Sequence, residues 1–267
     1  MKGTDIMKDF RLTFTYIGGP TAILELGGFR LLTDPTFDPA GSEYPTGLYT
    51  LRKIQGPALS LDSLGHIDAI LLSHDHHFDN LDHSGRTVIE KVEQVVTTPA
   101  GAERLGGKAT GLRHWECIDL HTPDGLTLKV TGTPTRHGPP GGDRGPVTGF
   151  LLTLMEYPHY SVYVSGDTVW YGDIEAISRR YPVSVAILFM GAARVLEVGP
   201  AHLTFNAEEG VQAARAFQGA TIVPLHYEGW DHFSESRQHI ENAFGGAGMS
   251  HRLQWMEPGR PTDVILQ

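Results

Sequence analysis

Ile67-Asp68-Ala69-Ile70-Leu71-Leu72-Ser73-His74-Asp75-His76-His77-Phe78-Asp79-Asn80-Leu81-Asp82 is the stretch on which the reading of this chain turns. An apolar run, Ile67–Leu72, of a length that suits a buried strand, stops abruptly in a cluster of imidazoles and carboxylates. Polar ligand-type side chains are thereby set at the C-terminal end of a strand, where α/β folds place their chemistry. His74 and His76, at i and i+2, can turn toward one point if the chain bends there, and Asp79 offers a carboxylate within reach of it.

Upstream, Thr13–Ile17, Ala22–Leu26 and Phe29–Thr33 are short apolar or β-branched runs separated by Gly18-Gly19-Pro20 and Gly27-Gly28, the pattern of a β-meander. Between the meander and the motif, residues 35–60 hold four prolines and three glycines. A loop of that length inside a domain is usually functional, and Tyr44, Leu48, Tyr49 and Leu51 suggest an apolar flap facing the substrate. Downstream, Gly85–Glu93 and Ala100–Leu105 read as helices around a strand at Gln94–Thr97. Strands return at Cys117–Leu120 and Leu126–Thr131, around the turn His121-Thr122-Pro123-Asp124-Gly125, and at Gly149–Glu156 and Ser161–Ser165. Then follow a helix at Asp173–Arg180, a strand at Val185–Phe189, an amphipathic helix at Ala207–Phe217 and a strand at Thr221–Leu225 that ends at His226. A last helix, Ser234–Ala243, precedes the strand-like Arg252–Met256 and Asp263–Leu266. The order β-rich then helical occurs twice with no linker between, so one domain over residues 1–267 is expected.

A net charge of −10 argues against a general nucleic-acid binder, which needs a basic face to displace counterions. The one cysteine, Cys117, excludes an intrachain disulfide and a thiolate zinc cluster. Met1–Thr15 has no apolar core of a secretory signal, so the cytoplasm is the expected location. The longest apolar stretches, Ala69–Leu72 and Val185–Met190, fall far short of the roughly 20 residues of a membrane span. A small-molecule substrate is the expected partner, and a homo-oligomer stays open.

Of the chain's fourteen histidines, His74, His76, His137 and His226 lie at or just past strand ends. With Asp79 and Asp167, the latter on Gly166-Asp167-Thr168, they form a mixed imidazole and carboxylate set that zinc, manganese and iron all accept. Because no cysteine contributes, such a site is of the catalytic type that keeps a position open for water. The glycine at 166 allows a close backbone approach, from which Asp167 could bridge two metals.

Several segments, in order, carry a resemblance: Tyr16-Ile17-Gly18-Gly19-Pro20-Thr21-Ala22, Leu32-Thr33-Asp34-Pro35, Leu72-Ser73-His74-Asp75-His76, Thr135-Arg136-His137, Ser165-Gly166-Asp167-Thr168, His202-Leu203-Thr204-Phe205-Asn206-Ala207-Glu208-Glu209 and Pro224-Leu225-His226-Tyr227. Together they resemble the metallo-β-lactamase fold superfamily, in the branch of the ascorbate-6-phosphate lactonases and the N-acyl-phosphatidylethanolamine phospholipases D. The resemblance implies an α/β fold, a four-layer αββα sandwich, and two divalent metal ions, zinc first and manganese second. His74, His76 and His137 would hold the first ion, Asp167 would bridge, and Asp79 with His226 would hold the second. Asp79 would also orient the attacking hydroxide or take its proton, His202 would touch the substrate, and Asp34 would hydrogen-bond a ligand and fix its tautomer. The implied reaction is hydrolysis of a lactone, another ester or a phosphodiester, with Arg136 and Arg194 as candidates for a phosphate or carboxylate on the substrate.

The chain departs from the family's His-x-His-x-Asp-His pattern. One extra residue precedes Asp79, and Asn80, a poorer ligand, stands where the last histidine would be. A single metal, or a site completed by His77, therefore stays open. So do two other classes of function: a metal-binding or redox module carrying iron, and a non-catalytic scaffold with a decayed second site. The remaining histidines, His232 among them, match nothing in the pattern and read as surface or internally satisfied groups.

Overall fold

Strand Thr21–Leu26 buries both of its faces, and the same holds for most central strands of the chain, which is why they read as near-continuous apolar runs. The computed structural model describes residues 11–122 and 125–265. The expectations for Met1–Phe10, for Pro123-Asp124 of the proposed turn and for Leu266 lie outside the described residues.

Among those residues the strands form two large sheets. The first runs β15 (Thr262–Ile265), β1 (Arg11–Gly18), β2 (Thr21–Leu26), β3 (Phe29–Thr33), β6 (Ala69–Leu71), β7 (Gln94–Thr97) and β8 (Ala109–Gly111). The second runs β14 (Thr221–Leu225), β13 (Val183–Phe189), β12 (Ser161–Val164), β11 (Gly149–Leu154), β10 (Thr127–Thr133) and β9 (Cys117–His121). Each sheet changes character partway. β15, β1, β2 and β3 pair antiparallel, after which β3, β6, β7 and β8 pair parallel. Likewise β9 to β12 pair antiparallel, and β12, β13 and β14 pair parallel. The parallel pairs need crossovers: residues 34–68 connect β3 to β6 without an α-helix, and helices supply the rest, α1 (His83–Ile89) and α2 (Pro99–Leu105) in the first half and α3 (Gly172–Arg180) and α4 (Ala207–Ala216) in the second, with α5 (Arg237–Gly246) beside α4.

Side-chain alternation assigns the faces. Phe14, Leu24 and Leu31 of the first sheet share a buried core with Val130, Phe150, Leu152 and Ile187 of the second. Their sequence neighbours point the other way: Ile23, Leu32 and Ile70 pack with Val88 of α1. Leu151, Ala186 and Leu188 pack with Ile177 of α3, Val211 of α4 and Phe244 of α5. The result is the expected αββα sandwich, two sheets face to face with helices outside. Its parallel strands β6, β12 and β14 run out at the edge where the chemistry-bearing residues lie.

Three stretches differ from expectation. The irregular segment 35–60 contains a two-stranded hairpin, β4 (Glu43–Pro45) and β5 (Thr50–Arg52). Tyr44 and Leu51 there are buried against Trp230, whereas Leu48 at the tip is 73% exposed. The segment is thus partly a small satellite core and only at its tip a free flap. β8 is a strand of half-buried small residues, Ala109-Thr110-Gly111, that carries no apolar signal. Arg252–Met256 makes only a single bridge, Leu253 to Ile222, instead of a strand.

Candidate metal centre

Seven side chains converge at that edge. His74 follows β6, His137 follows β10, Asp167 follows β12 and His226 follows β14 directly, so both sheets contribute. Gly166 has φ +59, and a Cβ there would lie 2.8 Å from the Thr148 carbonyl and 2.9 Å from the Ser73 side chain, so only glycine lets Asp167 approach this closely. Asp34 (φ +21) and His226 (φ +52) are two of the few non-glycine residues with a left-handed backbone, a strain that tertiary packing must hold in place.

The first group is His74, His77 and His137. Nδ1 of His77 lies 3.0 Å from Nε2 of His74 and 3.3 Å from Nε2 of His137. Nitrogens each about 2.05 Å from one tetrahedral ion would stand roughly 3.3 Å apart, so the spacing fits a shared cation. The other ring nitrogens of His74 and His137 are engaged. Nδ1 of His137 donates to the Leu203 carbonyl at 2.9 Å, and Nδ1 of His74 faces the Ser73 hydroxyl at 2.9 Å. That hydroxyl donates to Asp34 at 2.6 Å, and the Ser73 amide donates to the other Asp34 oxygen at 2.6 Å. Asp34 therefore orients His74 through Ser73, leaving the Nε2 lone pair toward the centre.

The second group is Asp79, His226 and His232. Oδ2 of Asp79 lies 3.1 Å from Nε2 of His232 and 3.5 Å from Nε2 of His226. His226 is fully buried, and neither of its ring nitrogens has a hydrogen-bond partner among the described residues. A buried imidazole left orphaned in this way is costly unless it meets a ligand. Asp167 stands between the groups. Its Oδ2 is 3.7 Å from His137 and 3.9 Å from His74, and its Oδ1 is 3.5 Å from His226.

The protonation states point the same way. Burial, reinforced by neighbouring imidazoles, holds His74 and His77 well below the ordinary histidine value, and burial brings His137 down to about 4. These rings are neutral and can donate lone pairs. Burial would raise Asp79, but the facing His226 and His232 outweigh it and keep the carboxylate well below its usual value. Burial and then the negative charges of Asp79 and Asp34 push Asp167 well up, and burial pushes Asp34 up to about 7. Buried carboxylates that repel one another amid neutral imidazoles form a donor set that a divalent cation would satisfy.

Of the residues expected from the sequence, the structure brings together His74, Asp79, His137, Asp167 and His226. It does not bring His76 into either group. Nε2 of His76 is 3.0 Å from the Arg144 carbonyl, and the ring is 25% exposed. The extra residue before Asp79 carries the turn one position further, and His77 takes the place beside His74 and His137. Nor does His202 join: its Nε2 lies 3.0 Å from Glu209, the capping-box glutamate at the start of α4. Asn80 is fully buried, and its side-chain amide donates to Asp34 at 3.1 Å.

His232 is the residue that the sequence reading passed over. Its position follows from long-range stitching, not from spacing. The segment after His226 bridges Lys53 through Trp230 and Ala193 through Phe233, and the His232 carbonyl accepts from the Arg194 amide at 2.8 Å. It supplies an imidazole to the same group from which Asn80 withholds one.

A cavity of about 20 Å³, room for about one water, opens directly on His77, Asp79, His137 and His232. Tyr49, Leu51, Val195 and His232 also border a larger groove of about 430 Å³ that runs out between β5 and residues 194–197. Arg194 lines this groove; Arg52, also there, is paired with Glu43 and Asp231. Arg136 instead lies over the Tyr171 ring at 4.6 Å. No helix among the described residues is long and apolar enough to cross a membrane.

Similarity to known proteins agrees with this architecture. A beta-lactamase superfamily domain model matches residues 29–227. The chain is 27% identical to YddR of Bacillus subtilis over 93% of its own length and 98% of that protein. It is 25% identical to a metal-dependent hydrolase of Caldivirga maquilingensis over 91% of its length and 94% of that protein. Its fold superposes on the crystal structure of a possible metal-dependent hydrolase from Veillonella parvula with a TM-score of 0.79 at 22% identity, covering 94% of this chain and 98% of that one. With both sheets, the metal-type edge and most of its length accounted for, the chain belongs to the beta-lactamase superfamily.

Proposed function

We propose that this chain is a metal-dependent hydrolase that cleaves a lactone, another ester or a phosphodiester bond of a small molecule with two divalent ions, zinc by preference and manganese as the alternative. The observation that carries the reading is the pair of three-residue groups facing one another across the Asp167 carboxylate. His74, His77 and His137 would hold one ion, Asp79, His226 and His232 the other, and Asp167 would touch both. When bound, such ions lower the pKa of a coordinated water toward about 7 and polarise the bond under attack.

The chain's own residues supply the rest. Asp34, acting through Ser73, fixes the His74 tautomer, and the Leu203 carbonyl fixes that of His137. Asp79 borders the cavity with its carboxylate ionised, placed to orient the attacking water or accept its proton. Leu51, Ala193, Val195 and Leu203 line the same cavity and limit the entry of bulk water. The hydrolase name of the Caldivirga relative supports the reaction class.

The test is elemental analysis of protein purified without added metal, alongside a hydrolysis screen of lactones, phosphodiesters and N-acyl lipids. About two zinc or manganese ions per chain, with turnover lost on chelation, is the expected result. Iron with oxygen-dependent chemistry, or no bound metal, would overturn it.

A further inference from the structure

Apart from the residues of the two metal-type groups, the cavity beside them is lined by four apolar side chains and only two polar ones, Tyr49 and Arg144. Arg144 forms no ion pair with a carboxylate among the described residues, although the neighbouring cavity wall holds Asp79. A half-buried guanidinium without a counter-charge is an expensive thing to maintain unless an anion arrives to meet it. Burial and then the Asp79 charge raise the Tyr49 phenol, while the positive charge of Arg144 works against both. The two side chains line the same cavity as one polar patch, with Tyr49 contributed by the hairpin and Arg144 by the loop after His137.

The backbone of Arg144 is pinned on both sides. Its amide donates to the His137 carbonyl at 2.8 Å, and its carbonyl accepts from Nε2 of His76 at 3.0 Å. The next residue, Gly145, has φ +105, and a Cβ there would sit 2.9 Å from that same His76 nitrogen. The histidine displaced from the metal-type group by the inserted residue is thus the one that holds the arginine loop against it.

We infer that Arg144, assisted by Tyr49, binds an oxyanion of the substrate, a carboxylate or phosphoryl group next to the scissile bond, and that His76 is a positioning residue for Arg144 rather than a metal ligand. The guanidinium presents a planar fork that pairs with two oxygens of such a group. The substrate class rests on the hydrolase reading, but the binding test needs no turnover.

The experiment is calorimetric titration of the metal-loaded protein with inorganic phosphate and, separately, with acetate, with the metal content of every variant measured in parallel. Arg144→Ala should weaken binding of at least one anion by about tenfold or more, as loss of a charge-assisted contact does, with both metals retained. Arg144→Lys should fall between, since it keeps the charge and loses the fork. The larger loss for phosphate would mark a phosphoryl substrate, and the larger loss for acetate a carboxylate. His76→Ala should weaken the same anion several-fold with metals retained. His76→Gln, which can still donate to the Arg144 carbonyl, should restore it. Unchanged affinity for both anions in Arg144→Ala would overturn the assignment of the arginine, and loss of a metal ion in His76→Ala would overturn that of the histidine. A protein that shows Arg144-dependent binding yet hydrolyses nothing would fail the hydrolase reading while keeping this one; the reverse pattern separates them equally well.

Discussion

His74 and His137 stand just past strands of the two packed sheets, and an Asp34–Ser73 relay and a backbone carbonyl orient them. Asp79, His226 and His232 are held differently. His226 sits on a left-handed backbone with neither ring nitrogen hydrogen-bonded among the described residues, and His232 rides on a loop where Trp230 bridges Lys53 and Phe233 bridges Ala193. The first group is therefore a product of the sandwich itself, and the second a product of the sandwich plus a docked hairpin. The difference teaches that ions bound at the two groups would differ in how firmly they are held and in what disturbs them.

The largest effect is expected in the sandwich-built group. His74→Ala and His137→Ala each remove one of the three imidazoles of this group, so each should abolish hydrolysis and lower the metal content measured by elemental analysis. Full metal content in both variants would mean that His74 and His137 hold no ion and would undo the comparison.

A smaller and more selective effect is expected in the loop-built group. His232→Ala should weaken the second ion by more than the roughly 10–100-fold that loss of an outer hydrogen-bond partner costs, and chelator titration should then release metal in two steps, that ion first. Asn80→His should not tighten it. The Asn80 amide is fully buried and donates to Asp34 at 3.1 Å, so an imidazole there would lose that contact without reaching open space. Tighter binding in Asn80→His, or a His232→Ala protein that releases both ions together, would show that the second site is as closely tied to the sheets as the first.

The legibility of the sequence follows the same division. The meander and the strands that end in His74, Asp167 and His226 declare themselves because they are near-continuous apolar runs, buried on both faces, that stop in abrupt polar clusters. Those strand ends were also where most of the candidate centre could be read. What stayed hidden depends on distant contacts. The β4–β5 hairpin owes its order to Trp230, nearly 180 residues away by sequence, as roughly the Arg52–Asp231 separation shows. His232 is placed by the same docking. That His77 and not His76 groups with His74 and His137 is legible in the sequence only as a question, raised by the inserted residue, because the turn geometry decides which ring faces the others. β8 was missed because three small half-buried residues carry no hydrophobic period.

The smallest expected effect probes what ties the hairpin down. Asp38 receives the Tyr44 hydroxyl at 2.6 Å, the His83 amide at 3.2 Å, and the Ser84 amide and hydroxyl at 3.0 and 2.5 Å, so it joins β4 to the start of α1 just past the metal motif. Burial alone would raise its pKa, but these donors outweigh burial and hold it below the ordinary carboxylate range. A carboxylate whose folded pKa is depressed adds stability that is present in full above the unfolded value of about 3.9 and is lost as pH falls through the lower folded value. Asp38→Asn replaces one acceptor oxygen with a donor amide facing other donors and should cost about 1.5–3 kcal/mol at pH 7, read as a shift in the urea midpoint at unchanged slope. Because wild type and variant share every other titrating group, the gap between them isolates Asp38. It should be constant from pH 7 to about 5 and narrow below about 4 as the wild-type carboxyl protonates. A gap that stays constant down to pH 3 would mean that the cost is steric instead of ionic. A gap that grows on acidification would contradict the sign of the shift, and with it the view that Asp38 anchors the hairpin as a carboxylate.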